Sequence, residues 1–393
     1  MLSFLFRGAL RRTRIQTLCA GLVFCLCGMM PSASAETLMQ ASSKGMRFQM
    51  EQVAEGLGVP WGLAFLGPDA LLITERDGDI RLLTPSSRTL QRITGGPEVW
   101  AFGQGGLLDV AVPPNYKRGG WIYFTYSKPQ GSGSAQAATT LARAKLDGTR
   151  LVGLEDLLIT HSAADSGRHF GSRIAFDGAG HLFFSVGDRG LRPNAQNLKT
   201  HSGAILRLRL DGNVPEDNPF ANRADALPEI WSYGHRNPQG LFYDRERQRL
   251  WSNEHGPRGG DEINLIQPGR NYGWPVISYG KEYYLPIPVG EGTAKEGMEQ
   301  PIKHYVPSIA PGSLIVYSGT AFPAWRGNLL SGALKLQHLN RVELDADGNA
   351  VAEERLLESI GARIRALAES PAGWLYLSTD RGRILRLRPV KAD

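Results

Sequence analysis

The feature that most constrains the fold of this chain is a pair of short apolar runs, joined by a turn, that recurs along its length. The runs are rich in β-branched and aromatic residues and are separated by Gly, Asp or Pro, which is typical of strands and turns. Helical periodicity is almost absent. Six copies can be recognised: Trp61–Phe65 with Leu71–Thr74, Gly106–Val110 with Trp121–Phe124, Arg173–Phe176 with His181–Val186, Gln239–Tyr243 with Arg249–Trp251, Ser318–Phe322 with Gly327–Leu330, and Ile364–Leu367 with Trp374–Leu377.

Further strand candidates follow the pairs, among them Gly78–Leu83, Gly203–Leu208 and Gly382–Leu387. The copies recur at irregular intervals of roughly 45 to 80 residues, as expected for a repeat of ~40–50 residues with loop insertions. Four-stranded units arranged radially leave only short, protected sheet edges. We therefore predict an all-β fold, a six-bladed β-propeller with four-stranded antiparallel blades. A β-sandwich with an accidental repeat is the alternative. A strand before Trp61 could complete the last blade and close the ring.

The N-terminus has the composition of a secretory signal. Four arginines precede an apolar run, Ile15–Met30, and small residues follow at Ala33–Ala35. This order of a basic region, an apolar region and a small-residue cleavage site predicts a signal peptide over residues 1–35. An uncleaved anchor is the alternative. Residues 36–393 would then form a single propeller domain in the periplasm, with no membrane-spanning segment in the mature chain.

Cysteine usage and charge exclude several classes of function. All three cysteines, Cys19, Cys25 and Cys27, fall within the predicted signal, so the mature chain would have no disulfide, thiolate nucleophile or cysteine-ligated metal. The formal net charge of the full chain is +6. Four arginines and no acidic residue would leave with the signal, so the mature protein is only slightly basic. The charge is no indication of nucleic-acid binding.

The stretch Glu229–Trp274, together with Pro275, is unusually rich in glycine, proline, arginine and acidic residues. Three loops lie between short apolar runs: Arg236–Gly240, His255–Glu262 and Asn271–Pro275. Glycines allow a close approach of the backbone, carboxylates suit a hard cation, and arginines suit an anion. These loops therefore predict a cofactor and metal site.

Two candidate groups for chemistry follow from the residues themselves. His169, just before a predicted strand, is a candidate general base, and Asp188 could fix its tautomer; a surface histidine in a turn is the alternative. Glu262, with the carbonyls of Gly256, Pro257 and Tyr272, could hold calcium. A solvated acidic turn is the alternative there.

Cations recur near glycines and at strand starts. They are Arg236, Lys335, Arg363 and Arg365. Residues i and i+2 of a strand face the same side, so the last two guanidinium groups would repel each other unless they bind an anion. Two exposed surface arginines are the alternative. Gln104 is a polar side chain within a glycine loop, which is a weak signal by itself.

Several motifs in this order carry a family resemblance. They are Val59–Phe65, Gly103–Asp109, His169–Gly171, Ile230–Gly234 with Arg236–Gly240, Asn253–Asn264, Asn271–Pro275, Gly332–Lys335 and Arg363–Arg365. Together they resemble the soluble PQQ-dependent glucose/sorbosone dehydrogenase family, and most closely its bacterial soluble aldose sugar dehydrogenases. The resemblance runs from about residue 59 to the end of the chain. The motif NEHGPRGGDEIN followed by NYGWP is its most specific part.

The resemblance implies a six-bladed propeller that binds pyrroloquinoline quinone (PQQ) and calcium and oxidises aldoses at C1 to lactones. His169 would take the C1 hydroxyl proton while hydride passes to the quinone, and Asp188 would orient it. The carbonyls of Gly256 and Pro257 would hold a calcium that contacts the cofactor. Glu262 and Tyr272, with Asp261 as a further candidate, would hold calcium in the same loop. The implied cofactor-binding residues are Gln104, Arg236, Asn237, Tyr283, Ala333, Leu334, Lys335, Arg363, Ile364 and Arg365.

The chain departs from this expectation at two places. Arg168 puts a cation beside the candidate base, and Tyr279–Gln300 is the most individual segment, which would set the choice of sugar if it overhangs the channel. The implied partners are an aldose and an external electron acceptor, either a quinone or a redox protein. A calcium-dependent propeller lactonase and a non-catalytic carbohydrate-binding propeller are the alternatives. Neither needs the cluster of cations that a tricarboxylate cofactor requires.

Overall fold

The computed structural model describes residues 37–131, 133 and 135–390, so the predicted signal segment 1–35 lies outside the described residues. Two strands come first, β1 (Thr37–Ser43) and β2 (Met46–Ala54). The others are β3 (Pro60–Gly67), β4 (Ala70–Glu75), β5 (Ile80–Thr84), β6 (Thr89–Ile93), β7 (Leu107–Ala111), β8 (Ile122–Pro129), β9 (Ala137–Asp147), β10 (Arg150–Ile159), β11 (Ile174–Phe176), β12 (His181–Val186), β13 (Ala204–Arg209), β14 (Ile230–Tyr233), β15 (Pro238–Asp244), β16 (Arg249–Glu254), β17 (Asp261–Ile266), β18 (Lys303–Tyr305), β19 (Pro311–Val316), β20 (Leu329–Ala333), β21 (Leu339–Leu344), β22 (Ala350–Leu356), β23 (Ile364–Glu369), β24 (Leu375–Thr379) and β25 (Arg383–Pro389).

The strands form six antiparallel sheets, which are the blades of a propeller. Blades 1 to 5 each take four consecutive strands, from β3–β6 through β19–β22. The helical content of the described chain is three short 3-10 turns, at Arg192–Gln196, Pro323–Trp325 and Glu358–Ile360. The predicted fold class, a six-bladed propeller with four-stranded antiparallel blades, is confirmed.

Blade 6 joins the two ends of the described chain. Its inner strands are β23, β24 and β25, and β2 pairs with β25 from Phe48 opposite Pro389 to Ala54 opposite Ile384. β1 then adds a fifth strand at the outer edge. The expectation that a strand before Trp61 completes the last blade is therefore confirmed.

The core lies between blades. Neighbouring residues on one strand face opposite blades, so Leu71 and Ile73 of β4 pack towards blade 6 while Leu72 packs towards blade 2. A buried apolar cluster of this kind joins every neighbouring pair of blades around the ring. Because both faces of each blade are buried, the strands read as continuous apolar runs and not as an alternation of apolar and polar residues.

The predicted first strand of the fifth copy, Ser318–Phe322, is wrong. The inner strand of blade 5 is β19, Pro311–Val316, and the predicted run Ser318–Phe322 belongs to the loop after it. Phe322 is nevertheless buried, and its ring stacks on that of Trp325 at 4.5 Å. A buried aromatic residue in a loop has the same apolar signature as a strand residue.

The predicted site residues lie at one end of the ring. The innermost strand of a blade and the strand after it are antiparallel, so the start of the first and the end of the second lie at the same end of the blade. His169, Arg236 and Arg363 precede or begin innermost strands, whereas Asp188, Gly256 and Lys335 follow second strands. Residues from blades 3 to 6 therefore meet at one mouth of the ring. No helix within the described part of the chain is long and apolar enough to cross a membrane.

Candidate active site

His169 and Asp188 form a buried hydrogen-bonded pair at the start and end of the first hairpin of blade 3. The distance from His169 Nδ1 to Asp188 Oδ1 is 2.6 Å, and His169 is 8% exposed. Asp188 also accepts hydrogen bonds from the Gly190 N–H at 2.7 Å and from Trp274 Nε1 at 2.8 Å. Three donors thus fix the carboxylate, which in turn fixes the imidazole.

The electrostatics of the pair favour a neutral imidazole beside an ionised carboxylate. Burial lowers the pKa of His169 below its ordinary value; the Asp188 hydrogen bond opposes this, and the charges of Arg236 and Arg168 add to it. Burial would raise the pKa of Asp188, but the hydrogen bonds from His169 and Gly190 and the charge of Arg236 lower it on balance. The proton of the neutral ring therefore lies on Nδ1, and Nε2 carries the lone pair of a base.

The backbone at His169 is held in an unusual conformation. Its φ is 57°, in the left-handed region, which is uncommon for a residue other than glycine. The His169 N–H donates to Gln104 Oε1 at 2.8 Å, and the Gly171 N–H donates to Asn237 Oδ1 at 3.2 Å. Gln104 and Asn237, both predicted as cofactor ligands, thus also support the loop that carries the base.

A polar cavity of about 220 Å³ lies beside this loop. Five of the predicted cofactor-binding residues line it: Gln104, Asn237, Leu334, Arg363 and Arg365. The wall next to the base is made by Phe170 and Gly171, and His169 itself is not among the described lining residues. Trp61, Arg76, His255 and Asp380 complete much of the lining, so the cavity has more cations than anions around it.

Arg363 and Arg365 share a counter-ion within the chain. Asp380 Oδ2 is 2.8 Å from Arg363 Nε, and Asp380 Oδ1 is 2.6 Å from Arg365 Nε. The anion expected between these guanidinium groups is therefore, at least in part, a side chain. Burial would raise the pKa of Asp380, but hydrogen bonds and charge from the two arginines hold it below its usual value.

Asp380 is not among the site residues predicted from the sequence, although the repeat contains a signal for it. Asp188-Arg189-Gly190 and Asp380-Arg381-Gly382 are the same tripeptide, and each follows the second strand of its blade. Aligning the copies of the repeat would have placed Asp380 at the mouth of the ring beside Asp188.

Arg236 contacts both the loop that begins at His255 and the segment Tyr279–Gln300. Its backbone N–H donates to Glu254 Oε2 at 2.6 Å, and Nη1 donates to the His255 carbonyl at 3.1 Å. Nη2 donates to Tyr283 Oη at 3.1 Å, which places this tyrosine at the mouth. Trp274 lies against the guanidinium at 5.3 Å. The Nε of Arg236 is buried and has no hydrogen-bond partner among the described residues.

The predicted metal residues surround a second, much smaller cavity. Gly256, Glu262 and Tyr272 line it together with Arg236 and Glu254. Glu254 and Glu262 are directly opposite each other on β16 and β17. Burial, the charge of Glu254 and the charge of Asp261 together raise the pKa of Glu262 to about 8. Two opposed carboxylates are unfavourable, so this site favours a cation or a proton between them.

Asp261 has a structural role in the same loop. It accepts hydrogen bonds from the Gly256 N–H at 2.9 Å, from Ser308 Oγ at 2.6 Å and from the Ala310 N–H at 2.7 Å. Gly256 itself could carry no side chain, because a Cβ there would lie 2.3 Å from the carbonyl oxygens of Gly259 and Gly260. The loop is therefore packed so that its backbone, and not Asp261, is available to a ligand.

The remaining predicted residues lie around these cavities. Lys335 follows β20 with an exposed side chain, and Tyr283 is also exposed. Ala333 and Ile364 are buried in the apolar clusters between blades, so only their backbone atoms could serve a ligand. Pro257 is buried beside Gly280. The described residues contain no cluster of three or more His, Cys, Asp or Glu side chains fit for a metal, so backbone and amide oxygens would be needed.

The sequence profile of the glucose/sorbosone dehydrogenase family matches residues 57–386, which covers every blade. The chain belongs to this family. Aldose sugar dehydrogenase YliI of Escherichia coli (strain K12) is 39% identical over 346 residues, which are 86% of this chain and 92% of that relative.

Solved structures of the glucose/sorbosone dehydrogenase type have the same fold. The soluble aldose sugar dehydrogenase of Escherichia coli in its apo-form is 37% identical, with a TM-score of 0.83 over 87% of this chain and 100% of that one. The PQQ-bound aldose sugar dehydrogenase of Streptomyces coelicolor is 27% identical, with a TM-score of 0.71 over 87% of this chain and 98% of that one. The predicted family is thus confirmed.

Proposed function

We propose that this protein is a PQQ- and calcium-dependent aldose sugar dehydrogenase that oxidises the C1 hydroxyl of an aldose to the lactone. The observation that carries the proposal is the buried His169–Asp188 pair beside a cavity lined by Arg363 and Arg365. The relatives named as sugar dehydrogenases, one of them with PQQ bound, support the same reaction.

His169 is the base in this proposal. Its Nδ1–H donates to the ionised Asp188, so Nε2 is free to take the proton of the C1 hydroxyl. Asp188 then stabilises the imidazolium that forms and keeps the ring in one orientation. The removal of this proton must accompany the departure of a hydride from C1, because the lactone carbonyl forms only when both leave.

The cavity residues fit a planar, polyanionic cofactor. Arg363 and Arg365 in this cavity, and Arg236 in the smaller cavity that shares His255 with it, provide guanidinium groups that can bind carboxylates in pairs of hydrogen bonds. The buried Arg236 Nε has no hydrogen-bond partner within the described residues, which is a donor in need of an acceptor. When bound, PQQ would supply a quinone that accepts the hydride, which is redox chemistry that no side chain of this chain provides.

The smaller cavity fits a calcium ion. Glu254 and Glu262 oppose each other there, and Asn264 Oδ1 is buried without a partner in the described chain. Calcium takes carboxylate, amide and backbone oxygens of this kind. When bound, it would offset the charge of the carboxylates and polarise a nearby carbonyl as a Lewis acid. Gly256, Pro257, Glu262 and Tyr272 are the residues that would hold it.

We place the protein in the periplasm, on the basis of the signal-like N-terminus. The reducing equivalents would then pass to an external acceptor, a quinone or a redox protein. Tyr283, which hydrogen-bonds Arg236 at the mouth, belongs to the segment that we expect to set the choice of sugar.

The test is reconstitution of the purified apoprotein with PQQ and Ca²⁺, followed by a panel of aldoses with a reducible dye. Dye reduction that requires PQQ, calcium and a sugar is the expected result. An absence of turnover with every sugar, together with no change in the PQQ absorbance spectrum, would exclude the proposal.

The His169→Gln variant tests the base. It should bind PQQ as the wild type does and lose at least ~100-fold in kcat, the range of general base catalysis. His181→Gln is the matched control, because His181 also pairs with a carboxylate, Asp177, at 2.7 Å, but at the opposite end of the ring. If the His169→Gln variant retains turnover, His169 is not the general base.

A further inference from the structure

Arg189 is a fully buried arginine that lies next to Asp188 in the chain and faces the loop before His169. Its guanidinium donates to backbone carbonyls alone. Nε reaches the Ser162 carbonyl at 3.2 Å, and Nη2 reaches those of Ser166 at 2.9 Å and Ala137 at 3.3 Å. Nη1 donates to the Arg168 carbonyl. One side chain thus ties three points of the segment 162–168 to β9.

The peptide bond between Arg168 and His169 is bound on both sides. Its carbonyl oxygen accepts from Arg189, and its N–H donates to Gln104 Oε1. With both polar atoms of this peptide engaged, its plane cannot rotate freely. The left-handed φ of 57° at His169 costs of order 1 kcal/mol or more and persists only where neighbouring groups enforce it.

Packing reinforces these hydrogen bonds. The Arg189 guanidinium lies over the Phe170 ring at 3.4 Å, so it also contacts the residue after the base. Gly190 continues the same turn with a φ of +79°, and a Cβ there would lie 3.0 Å from Ser166 Oγ and 3.3 Å from the Arg168 side chain. The turn that carries Asp188 and the loop that carries His169 are therefore packed as one unit.

We infer that Arg189 is a positioning residue that fixes the peptide before His169 and thereby the direction in which the imidazole meets the substrate. The inference rests on the proposed function for the substrate, but its structural part does not depend on it. Only a planar group with several fixed donors can reach four carbonyls at once, which a lysine cannot do.

The test compares Arg189→Lys with Arg341→Lys. Arg341 is an equally buried arginine in blade 5 that pairs with Glu354 and is remote from His169, so its variant reports the general cost of losing a buried guanidinium. With PQQ and calcium bound, Arg189→Lys should lose about 10- to 100-fold in kcat, because a base displaced by about 1 Å loses that much. The KM for the sugar and the affinity for PQQ should stay within about threefold of wild type.

Hydrogen exchange supplies a readout that needs no turnover. Arg189→Lys should speed amide exchange in peptides covering residues 162–171 and leave the other blades unchanged, whereas Arg341→Lys should speed exchange in blade 5 and keep kcat within about twofold. Gln104→Leu, which releases the other side of the peptide, should also speed exchange at residues 162–171. If Arg189→Lys does not fold, Arg189→Gln gives the same exchange readout, because it also removes the guanidinium contacts to the carbonyls of residues 162–168.

Two results would overturn the inference. One is a folded Arg189→Lys protein with unchanged exchange at residues 162–171. The other is a kcat within about threefold of wild type although that segment exchanges faster. A wild-type protein that oxidises no aldose would instead refute the proposed function, and the exchange data would still decide whether Arg189 fixes the loop.

Discussion

Replacing Glu262 by Gln removes one of two opposed carboxylates, and we expect the apoprotein to become more stable above neutral pH. Glu262 lies opposite Glu254 across β16 and β17, and its pKa is raised to about 8, by burial first and then by the charges of Glu254 and Asp261. The variant keeps the size of the side chain and its capacity to accept from Asn264.

The magnitude follows from the pKa of Glu262. Between pH 4.5, the ordinary value, and about 8 the folded protein retains a proton that the unfolded chain has released. Stability therefore falls as pH rises through this interval, by at most ~1.4 kcal/mol for each pH unit. Glu262 keeps some exposure to solvent, and screening by water reduces the effect, so we expect about half of it, or ~2 kcal/mol at pH 8. The difference between wild type and variant should vanish near pH 4.5.

The assay is urea unfolding followed by tryptophan fluorescence at pH 5, 7 and 8.5, in a chelator and in millimolar Ca²⁺. In the chelator, the advantage of Glu262→Gln should grow with pH. Calcium should stabilise the wild type strongly and the variant much less, because the ion favours the ionised carboxylate. Glu246→Gln is the control; this exposed residue pairs with the exposed Arg326, and its loss should change stability by less than ~1 kcal/mol.

An advantage of the variant that does not depend on pH would refute the reasoning about Glu262. So would a variant that is less stable than wild type at pH 8.5 in the chelator. Equal stabilisation of both proteins by calcium would remove Glu262 from the proposed calcium site.

Three further predictions follow from the same structure. Asp188→Asn should lower kcat at least ~100-fold with little change in PQQ affinity, because the imidazole loses the partner that holds its tautomer. In the wild type, the loss of kcat at acidic pH should occur below about pH 6.5, the ordinary pKa of histidine, since burial lowers the pKa of His169. Asp380→Asn should destabilise the apoprotein by ~1–3 kcal/mol, because Arg363 and Arg365 lose their shared counter-ion, and PQQ should then raise the Tm of the variant more than that of wild type. Deleting residues 37–43, the outer strand β1, should be tolerated. Deleting residues 37–54 should prevent folding, because Phe48, Met50 and Val53 are buried and each contributes ~1.5–3 kcal/mol to stability. Circular dichroism and size-exclusion chromatography of the two truncated chains distinguish these outcomes.

The fold could be predicted from the sequence because each blade has the same local pattern. Continuous apolar runs between turn residues indicated strands buried on both faces, and the pattern failed only where a loop aromatic, Phe322, is buried like a strand residue. The position at which β19 ends and the following loop begins depends on packing around Trp325, which local composition does not encode.

The site could be predicted only in part. His169 and Asp188 were found because they flank one hairpin, whose geometry is local. The pairing of Asp380 with Arg363 and Arg365, and the several carbonyls bound by Arg189, depend on distances between strands and loops that the sequence does not specify. The opposition of Glu254 and Glu262 required the register of β16 against β17, which is fixed only by the folded blade.

The pairing of β2 with β25 has a consequence for the order of folding. These strands join residues 46–54 to residues 383–389, so the final blade cannot form until nearly the whole chain is available. Contacts of such large sequence separation carry a high entropic cost of loop closure and are made late. A nascent chain would therefore hold five assembled blades with both flanks of the ring uncovered. Premature release from a ribosome would leave those apolar flanks free to associate with other chains.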